Sequence, residues 1–292
     1  MTDASSPENP EPSAPETPRP APQRPQRPQI GDAPTPPIGF PDAPAIRRIG
    51  FDAITSALAA GWHDFRQAPS FGLFFGGVFT VAGLILLASF TVWDTPWTIL
   101  PLAIAFPLTG PFVAVGLYEV SRRLAAGEPL NWGEILGVVF AQKDRQLAWM
   151  GMVILFVFWI WAYQVRLLLA LFLGSAAFSS TEGFMSVVTG TENGLMFLGF
   201  GTAIGAVLAL VLFSLTVISM PLLVDRDVDV VTAMVTSVAA VRRSPVPMVL
   251  WGAAVTLLMI AALIPAFVGL LVILPVLGHA TWHLYDRVIV RS

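Results

Sequence analysis

The fold is decided by residues 250–291, which read LWGAAVTLLMIAALIPAFVGLLVILPVLGHATWHLYDRVIVR. This stretch is apolar over most of its length, is interrupted by Pro265 and Pro275, and ends in a polar and aromatic cap. A helix of about 20 apolar residues crosses a bilayer. The stretch therefore predicts two membrane passes that are joined by a tight hairpin near residues 264–266.

The composition extends this prediction to the whole chain. Hydrophobic residues make up 55% and charged residues 12% of the 292 residues, and the mean hydropathy is +0.73. Soluble domains carry about 25% charged residues. Because a soluble protein of this length could not bury so much apolar surface, we expect a multi-pass membrane protein whose main partner is the lipid bilayer, with no nucleic-acid partner. The absence of cysteine excludes disulfides, thiolate metal sites and cysteine nucleophiles.

A change in composition divides the chain into two parts. Residues 1–44 are rich in proline and have few apolar side chains to bury, which predicts a disordered tail. Residues 45–292 contain the apolar runs and predict an all-α membrane domain with six transmembrane helices. The first four predicted passes cover residues 71–93, 97–118, 147–172 and 195–224, and residues 174–194 are predicted to be a polar loop.

Three amphipathic helices are predicted before alternate passes, at residues 46–66, 132–140 and 225–243. The first is basic and aromatic and is suited to lying in the headgroup plane. The second begins at Asn131 with Glu134 three residues on, the spacing of a capping box. The apolar face predicted for the third helix consists of Val231, Met234, Val235, Val238 and Val241.

The basic residues favour one orientation in the membrane. Apart from Arg166, every lysine and arginine lies before the first pass, in alternate connections between passes or after the last pass. The positive-inside rule then places both termini, and with them the three amphipathic helices, in the cytoplasm.

The chain also contains an internal repeat. Three residues recur at one constant offset, Arg66, Pro69 and Gly76 in the first part and Arg242, Pro245 and Gly252 in the last. We predict three units of one amphipathic helix and two passes, at about residues 45–128, 129–225 and 226–292. Because each unit contains two passes, all three units have the same orientation in the membrane. The axis that relates one unit to the next is therefore expected to lie along the membrane normal.

Two histidines, His279 and His283, lie one helical turn apart and share a face. One interpretation is a haem or metal pair with His63 as a third ligand, because neutral imidazole is a common ligand. The other, which we favour, is a pair of interfacial histidines beside Trp282 and Tyr285. We therefore expect no cofactor and no bound metal.

Arg166 is the one charge within an apolar run. It lies about 28 Å along its predicted helix, close to the far interface. We expect it to snorkel or to pair with Glu182 or Glu192, and the alternative is a contact with a solute or ion.

Proline and glycine interrupt the even-numbered passes at Pro107, Gly110, Pro221, Pro275 and Gly278. Such breaks free backbone carbonyls. Such breaks have two possible roles: they bend a helix so that it packs on its neighbours, or they line a binding site. We expect the first role here.

The sequence carries no recognisable catalytic motif. Glu119 and Arg122 lie one helical step apart, and we expect a surface ion pair rather than a general acid. The sequence contains no phosphate-binding glycine loop, nucleophile elbow or zinc-protease motif. We therefore expect a protein that is not an enzyme.

Three runs carry a resemblance to a known family. They are LTGPFVAVGLYEVSRRLAAGEPLNW at 108–132, DRDVDVVTAMVTSVAAVRRSPVPM at 225–248 and LPVLGHATWHLYDR at 274–287. Together they resemble the bacterial integral membrane proteins grouped as domain of unknown function 2189, over roughly residues 45–290. The resemblance implies a bacterial inner membrane and brings no mechanism. An oxidase-like role would need core histidines, and the chain has only three histidines in all.

These observations favour a non-enzymatic scaffold or accessory factor that binds a membrane-protein partner. The alternative is a transporter or channel for a small or lipophilic solute, which predicts a central cavity reaching toward Arg166. A haem or metal protein is the third interpretation.

Overall fold

The computed structural model describes residues 35–37, 43–93, 99–141, 146–174 and 181–290. Over these residues the fold is all-α, as predicted, and the only β-contacts described are isolated bridges. The helices are α1 Phe51–Gln67, α2 Pro69–Thr91, α3 Ile99–Ala126, α4 Trp132–Ala141, α5 Gln146–Leu168 with a π-helical turn Leu169–Leu173, α6 Thr181–Gly190, α7 Glu192–Thr216, α8 Ser219–Asp225, α9 Val230–Arg243, α10 Pro245–Leu263 and α11 Leu270–Val288.

Among the described residues, four helical segments are long and apolar enough to cross a membrane. They are Pro69–Thr91, Gln146–Leu173, Glu192–Asp225 and Pro245–Leu263. They coincide with the first, third, fourth and fifth predicted passes. The other two predicted passes fall on α3 and α11, which carry polar residues at their C-terminal ends, and the total of six passes stays a prediction.

The hairpin predicted after α10 is confirmed. The chain turns at residues 264–269, and both Ala266 and Phe267 have positive φ angles, of 51° and 68°. Such angles cost energy for residues other than glycine. The turn is held by packing, because the Phe267 ring lies directly against the backbone of Gly83 on α2.

The long helices form a closed ring. In the order α2, α3, α5, α7, α10 and α11, each helix contacts the next, and α11 contacts α2. Three short helices, α1, α4 and α9, pack against the ring: α1 on α11, α4 on α3, and α9 on α7 and α8. Each of these three leads into one long helix of the ring and packs on the long helix before it; α1, for example, leads into α2 and packs on α11.

Two junctions between a short and a long helix have nearly the same geometry. Ala68, between α1 and α2, has φ −128° and ψ 54°, and Ser244, between α9 and α10, has φ −134° and ψ 61°. Pro69 and Pro245 follow as first helical residues. Proline disfavours the α conformation for the residue before it and is favoured at the first helical position, which explains why one helix ends and the next begins here.

Helix α1 packs along α11 through a glycine. A Cβ added at Gly61 would lie 2.6 Å from both the carbonyl oxygen of Val276 and the amide nitrogen of Ala280. We expected α1 as a whole to suit the headgroup plane. In the structure, its buried face packs against α11. That face consists of Ala53, Ile54, Ala57, Gly61, Asp64 and Phe65.

Two local predictions need correction. The side chain of Asn131 accepts a hydrogen bond from the Gly133 amide at 2.9 Å, but Glu134 bonds to Arg123 and does not complete a capping box. The predicted polar loop at residues 174–194 contains α6, whose Val188 is buried against α7.

Residues 35–37 come before the predicted domain boundary at residue 44, which stays a prediction. Thr35 pairs with Ile46, which pairs in turn with Ile289 after α11, so residues 35–37 belong to the folded unit. The disorder predicted for the rest of the tail concerns residues outside the described ranges.

Candidate functional site

Both predicted histidines belong to a buried polar cluster on three helices. His283 on α11 lies 2.7 Å from Asp64 on α1, measured from Nε2 to Oδ2. His279 is fully buried, and its Nδ1 lies 2.8 Å from the hydroxyl of Ser121 on α3. The Ser121 hydroxyl is also close enough to the Asp64 carboxylate to lower its pKa. The cluster joins α1, α3 and α11 and buries His279 inside the protein. The interfacial position that we favoured for the two histidines stays a prediction.

The proposed third ligand does not join this cluster. His63 is exposed, and its Nε2 lies 2.8 Å from the amide nitrogen of Gln67 on its own helix. Among the described residues, no three histidine, aspartate or glutamate side chains are arranged to hold a metal ion.

A second polar cluster surrounds Glu119 near the end of α3. Its carboxylate is only 3% exposed and accepts hydrogen bonds from Arg122 at 2.8 Å and from Arg123 at 2.7 Å. Arg123 also bonds to Glu134 on α4, and Arg122 bonds to Glu128 at 3.0 Å. The predicted pair of Glu119 and Arg122 is confirmed, but its carboxylate is buried and the pair forms part of a network that fixes α4 on α3.

The acidic groups of both clusters are held in their charged forms. Burial alone would raise the pKa of Glu119, but hydrogen bonds from Arg122 and Arg123 outweigh it and hold the pKa below its usual value. Burial likewise opposes ionisation of Asp64, yet hydrogen bonds from His283 and Ser121 lower its pKa. Both carboxylates therefore act as ionised acceptors at neutral pH, and their protons are not available for acid catalysis.

A third group of contacts ties the C-terminus to α8. The hydroxyl of Tyr285 donates to Asp225 at 2.7 Å, and Arg226 donates to the carbonyl oxygen of Val290 at 2.9 Å. We call the three groups together the polar layer. Each charged side chain in it bonds to another part of this chain, so its chemistry is structural.

The proline and glycine breaks have different surroundings. Pro275 is buried within α11, and a Cβ on Gly72 of α2 would lie 3.3 Å from its side chain. Gly278 allows α3 to approach, since a Cβ there would lie 2.5 Å from the side chain of Leu117. Pro221 is buried in α8. All three residues lie in closely packed surroundings, and the expected bending of the helices stays a prediction.

The surroundings of Gly110 differ from those of its predicted equivalent Gly278. A Cβ on Gly110 would meet no atom within 4 Å, and an apolar crevice lies on either side of it. One crevice, of about 280 Å³, lies among α2, α3, α10 and α11, and the other, of about 250 Å³, lies among α3, α5, α7 and α8. Pro107 lies in the same helix one turn earlier, and its side chain is not among those described.

Arg166 lies apart from both crevices. It is exposed in the last turn of α5 and lines neither of them. Of its two predicted partners, the Glu182 side chain lies outside the described set, and Glu192 makes no described ion pair with it.

Sequence reasoning missed Asp64, Ser121 and Arg123. Asp64 falls on a face that looked polar, and a serine within an apolar run carries no signal. Arg123 beside Glu119 did carry one, because the i, i+4 spacing pairs the two on a helix.

A ring of long apolar helices with a polar layer at one end defines an integral membrane protein with several apolar helices. Residues 99–225 match the family described as predicted integral membrane protein (DUF2189). The resemblance is thereby confirmed, over a narrower range than the expected residues 45–290. No curated protein and no solved structure matches the chain.

Proposed function

We propose that the protein is a non-enzymatic scaffold or accessory factor of the bacterial inner membrane. The observation that carries this proposal is the polar layer. The buried carboxylates of Glu119 and Asp64 bond to arginine and histidine side chains of the same chain, and Asp225 accepts a hydrogen bond from Tyr285. Catalysis or ion transport needs such groups to face a cavity, whereas here they join helices.

The proposal includes six passes with both termini in the cytoplasm. Helix α3 has 28 residues and is about 42 Å long, enough to cross the bilayer before Glu119. The closed ring and the matching junctions at Ala68 and Ser244 support three repeated units. Single-cysteine variants in this cysteine-free chain test the topology. A cysteine at Ile264 should react with a membrane-impermeant maleimide from the periplasm, and one at Phe51 should not.

Helix α5 offers the surface for a membrane-protein partner. In its most apolar window only 6% of the residues are buried, against 33% for α2. Its exposed aromatic residues are Trp149, Phe156, Trp159, Trp161 and Tyr163. Aromatic residues are enriched at interfaces, and lipid alone does not require them in mid-helix.

Capture in mild detergent tests the scaffold proposal. A photo-crosslinking residue at Trp159 should trap a discrete partner, and the same residue at Leu257, an exposed position of α10, should trap none. Recovery of the same background from both positions would contradict the proposal.

The crevices beside Gly110 favour a second candidate, a carrier of lipophilic solutes. Their walls are almost wholly apolar and lie between the ring helices. Diphenylhexatriene, a lipophilic fluorophore, should bind the purified protein, and Gly110→Leu should reduce that binding because the new side chain fills the crevice. Unchanged binding would remove this candidate.

A further inference from the structure

Three glycines of α7 lie in open surroundings, although glycine weakens a helix relative to alanine. A Cβ added at Gly201 would lie 3.7 Å from the Leu168 side chain, and one at Gly205 would lie 3.9 Å from the indole nitrogen of Trp161. A Cβ at Gly199 would meet no atom of the described residues within 4 Å. Close contacts within the described part of the chain therefore do not account for glycine at these positions.

A crevice of about 340 Å³ lies between α5 and α7. Its walls include Ile154, Val157, Phe158 and Trp161 on α5, and Gly205 and Ala209 on α7. None of its described lining residues is charged. An engineered apolar cavity of about 150 Å³ holds benzene, so this crevice has room for roughly a dozen non-hydrogen atoms.

Gln164 lies one helical turn beyond the Trp161 end of the crevice. Its amide oxygen and amide nitrogen are both buried, and neither has a hydrogen-bond partner among the residues that the structure describes. Trp161 and Leu168, three residues before it and four residues after it, both face glycines of α7. Gln164 therefore lies on the same face of α5, between them. Gly201 and Gly205, which these two residues face, have no side chain that could pair with the amide.

The unpaired amide indicates what kind of molecule the crevice would hold. A buried amide without a partner destabilises a protein, because it has lost its hydrogen bonds to water, and native proteins keep few such groups. A bound molecule would supply the missing partner. It has to be mostly apolar to fit the walls, and its head group has to donate and accept hydrogen bonds to satisfy both amide atoms. A charged head group is disfavoured, because no described lining residue could balance its charge.

We propose that the crevice between α5 and α7 binds one uncharged lipophilic alcohol, with its hydrocarbon part along the apolar walls and its hydroxyl at the Gln164 amide. A hydroxyl is a small head group that offers both a donor and an acceptor. The site is defined by contacts between two helices, so it does not depend on how deeply they lie in a bilayer. It does not require the scaffold role, and Gly110 does not line this crevice.

The test measures the melting temperature of the purified full-length protein in detergent with 1-decanol, with n-decane or with neither. The two compounds differ only in the hydroxyl, and both are small enough for the crevice. 1-Decanol should raise the melting temperature of the wild-type protein more than n-decane does, because only the alcohol can bond to the amide. Equal effects of the two compounds would overturn the proposal.

Gln164→Leu removes the amide and leaves the crevice in place. Leucine is similar in size and needs no hydrogen-bond partner, so the ligand-free variant should melt at the wild-type temperature or above it. The variant should also respond equally to 1-decanol and to n-decane. If it melts lower without ligand, the amide already has a partner, such as a buried water, and the proposal is wrong. A retained preference for 1-decanol would contradict the proposal as well.

Two further variants locate the bound alcohol. Gln67→Leu makes the same substitution at an exposed position of α1, and it should keep the wild-type preference for 1-decanol. Gly205→Leu fills the crevice beside Trp161 but keeps Gln164, and it should lose that preference. Loss of the preference in Gln67→Leu, or its retention in Gly205→Leu, would overturn the proposal. Circular dichroism and gel filtration verify that each variant is folded.

Discussion

Replacing Glu119 with glutamine tests whether the polar layer stabilises the fold. The Glu119 carboxylate is 3% exposed and holds both Arg122 and Arg123, and the Arg123 side chain is only 11% exposed. The substitution keeps the size of the side chain but removes its charge. It leaves Arg123 buried with a weaker partner.

The expected loss follows from burial. Breaking a buried ion pair by neutralising one partner costs about 3–5 kcal/mol. Because Arg123 keeps Glu134 and the Pro129 carbonyl as partners, we expect the lower end, about 3 kcal/mol. Glu128→Gln is the matched control, since Glu128 also bonds Arg122 but is 41% exposed. It should cost less than about 1 kcal/mol.

Unfolding in detergent, followed by the fluorescence of the nine tryptophans, gives the free energies. Equal losses for Glu119→Gln and Glu128→Gln would refute the reasoning. The double variant Glu119→Gln with Arg123→Met should be more stable than Glu119→Gln alone, because it no longer buries a poorly paired cation.

The pH dependence gives a second readout of Glu119. Its pKa in the folded state lies below the unfolded value of about 4.3. Its contribution to stability is therefore complete above about pH 4.3 and is lost as the pH falls through the folded pKa. The wild-type protein should lose stability in this acidic range, and Glu119→Gln should lose less. Asp64 acts in the same direction, so some acid dependence should remain.

Three further substitutions probe other contacts, each by the free energy of unfolding. Gly61→Val should destabilise the protein by more than about 2 kcal/mol, because the new valine side chain would meet the Val276 carbonyl oxygen. The stability of Gly61→Ala should lie between those of Gly61→Val and the wild type. Asp229→Ala removes the α9 N-cap, whose carboxylate accepts from two backbone amides, and should cost about 1 kcal/mol; an unchanged stability would contradict that role. Tyr285→Phe leaves Asp225 without its buried donor and should cost about 1–2 kcal/mol, whereas a neutral result would mean that water replaces the hydroxyl.

Local features of the chain were predictable from the sequence. The apolar runs gave the membrane helices, and Pro69 and Pro245 marked the junctions where helices end and restart. The hairpin after α10 was also predicted. These features depend on hydrophobic length and on the backbone limits of proline, which act within a few residues.

Partners across the fold were decided by the tertiary structure. His279 and His283 share a helix face, but their partners Ser121 and Asp64 come from two other helices. Periodicity marked an apolar face on α9, yet close approach to its neighbours selected the face of small residues and left the valines on a groove. A pattern along one helix gives the chemistry of its faces, and only the arrangement of the other helices decides which face is buried.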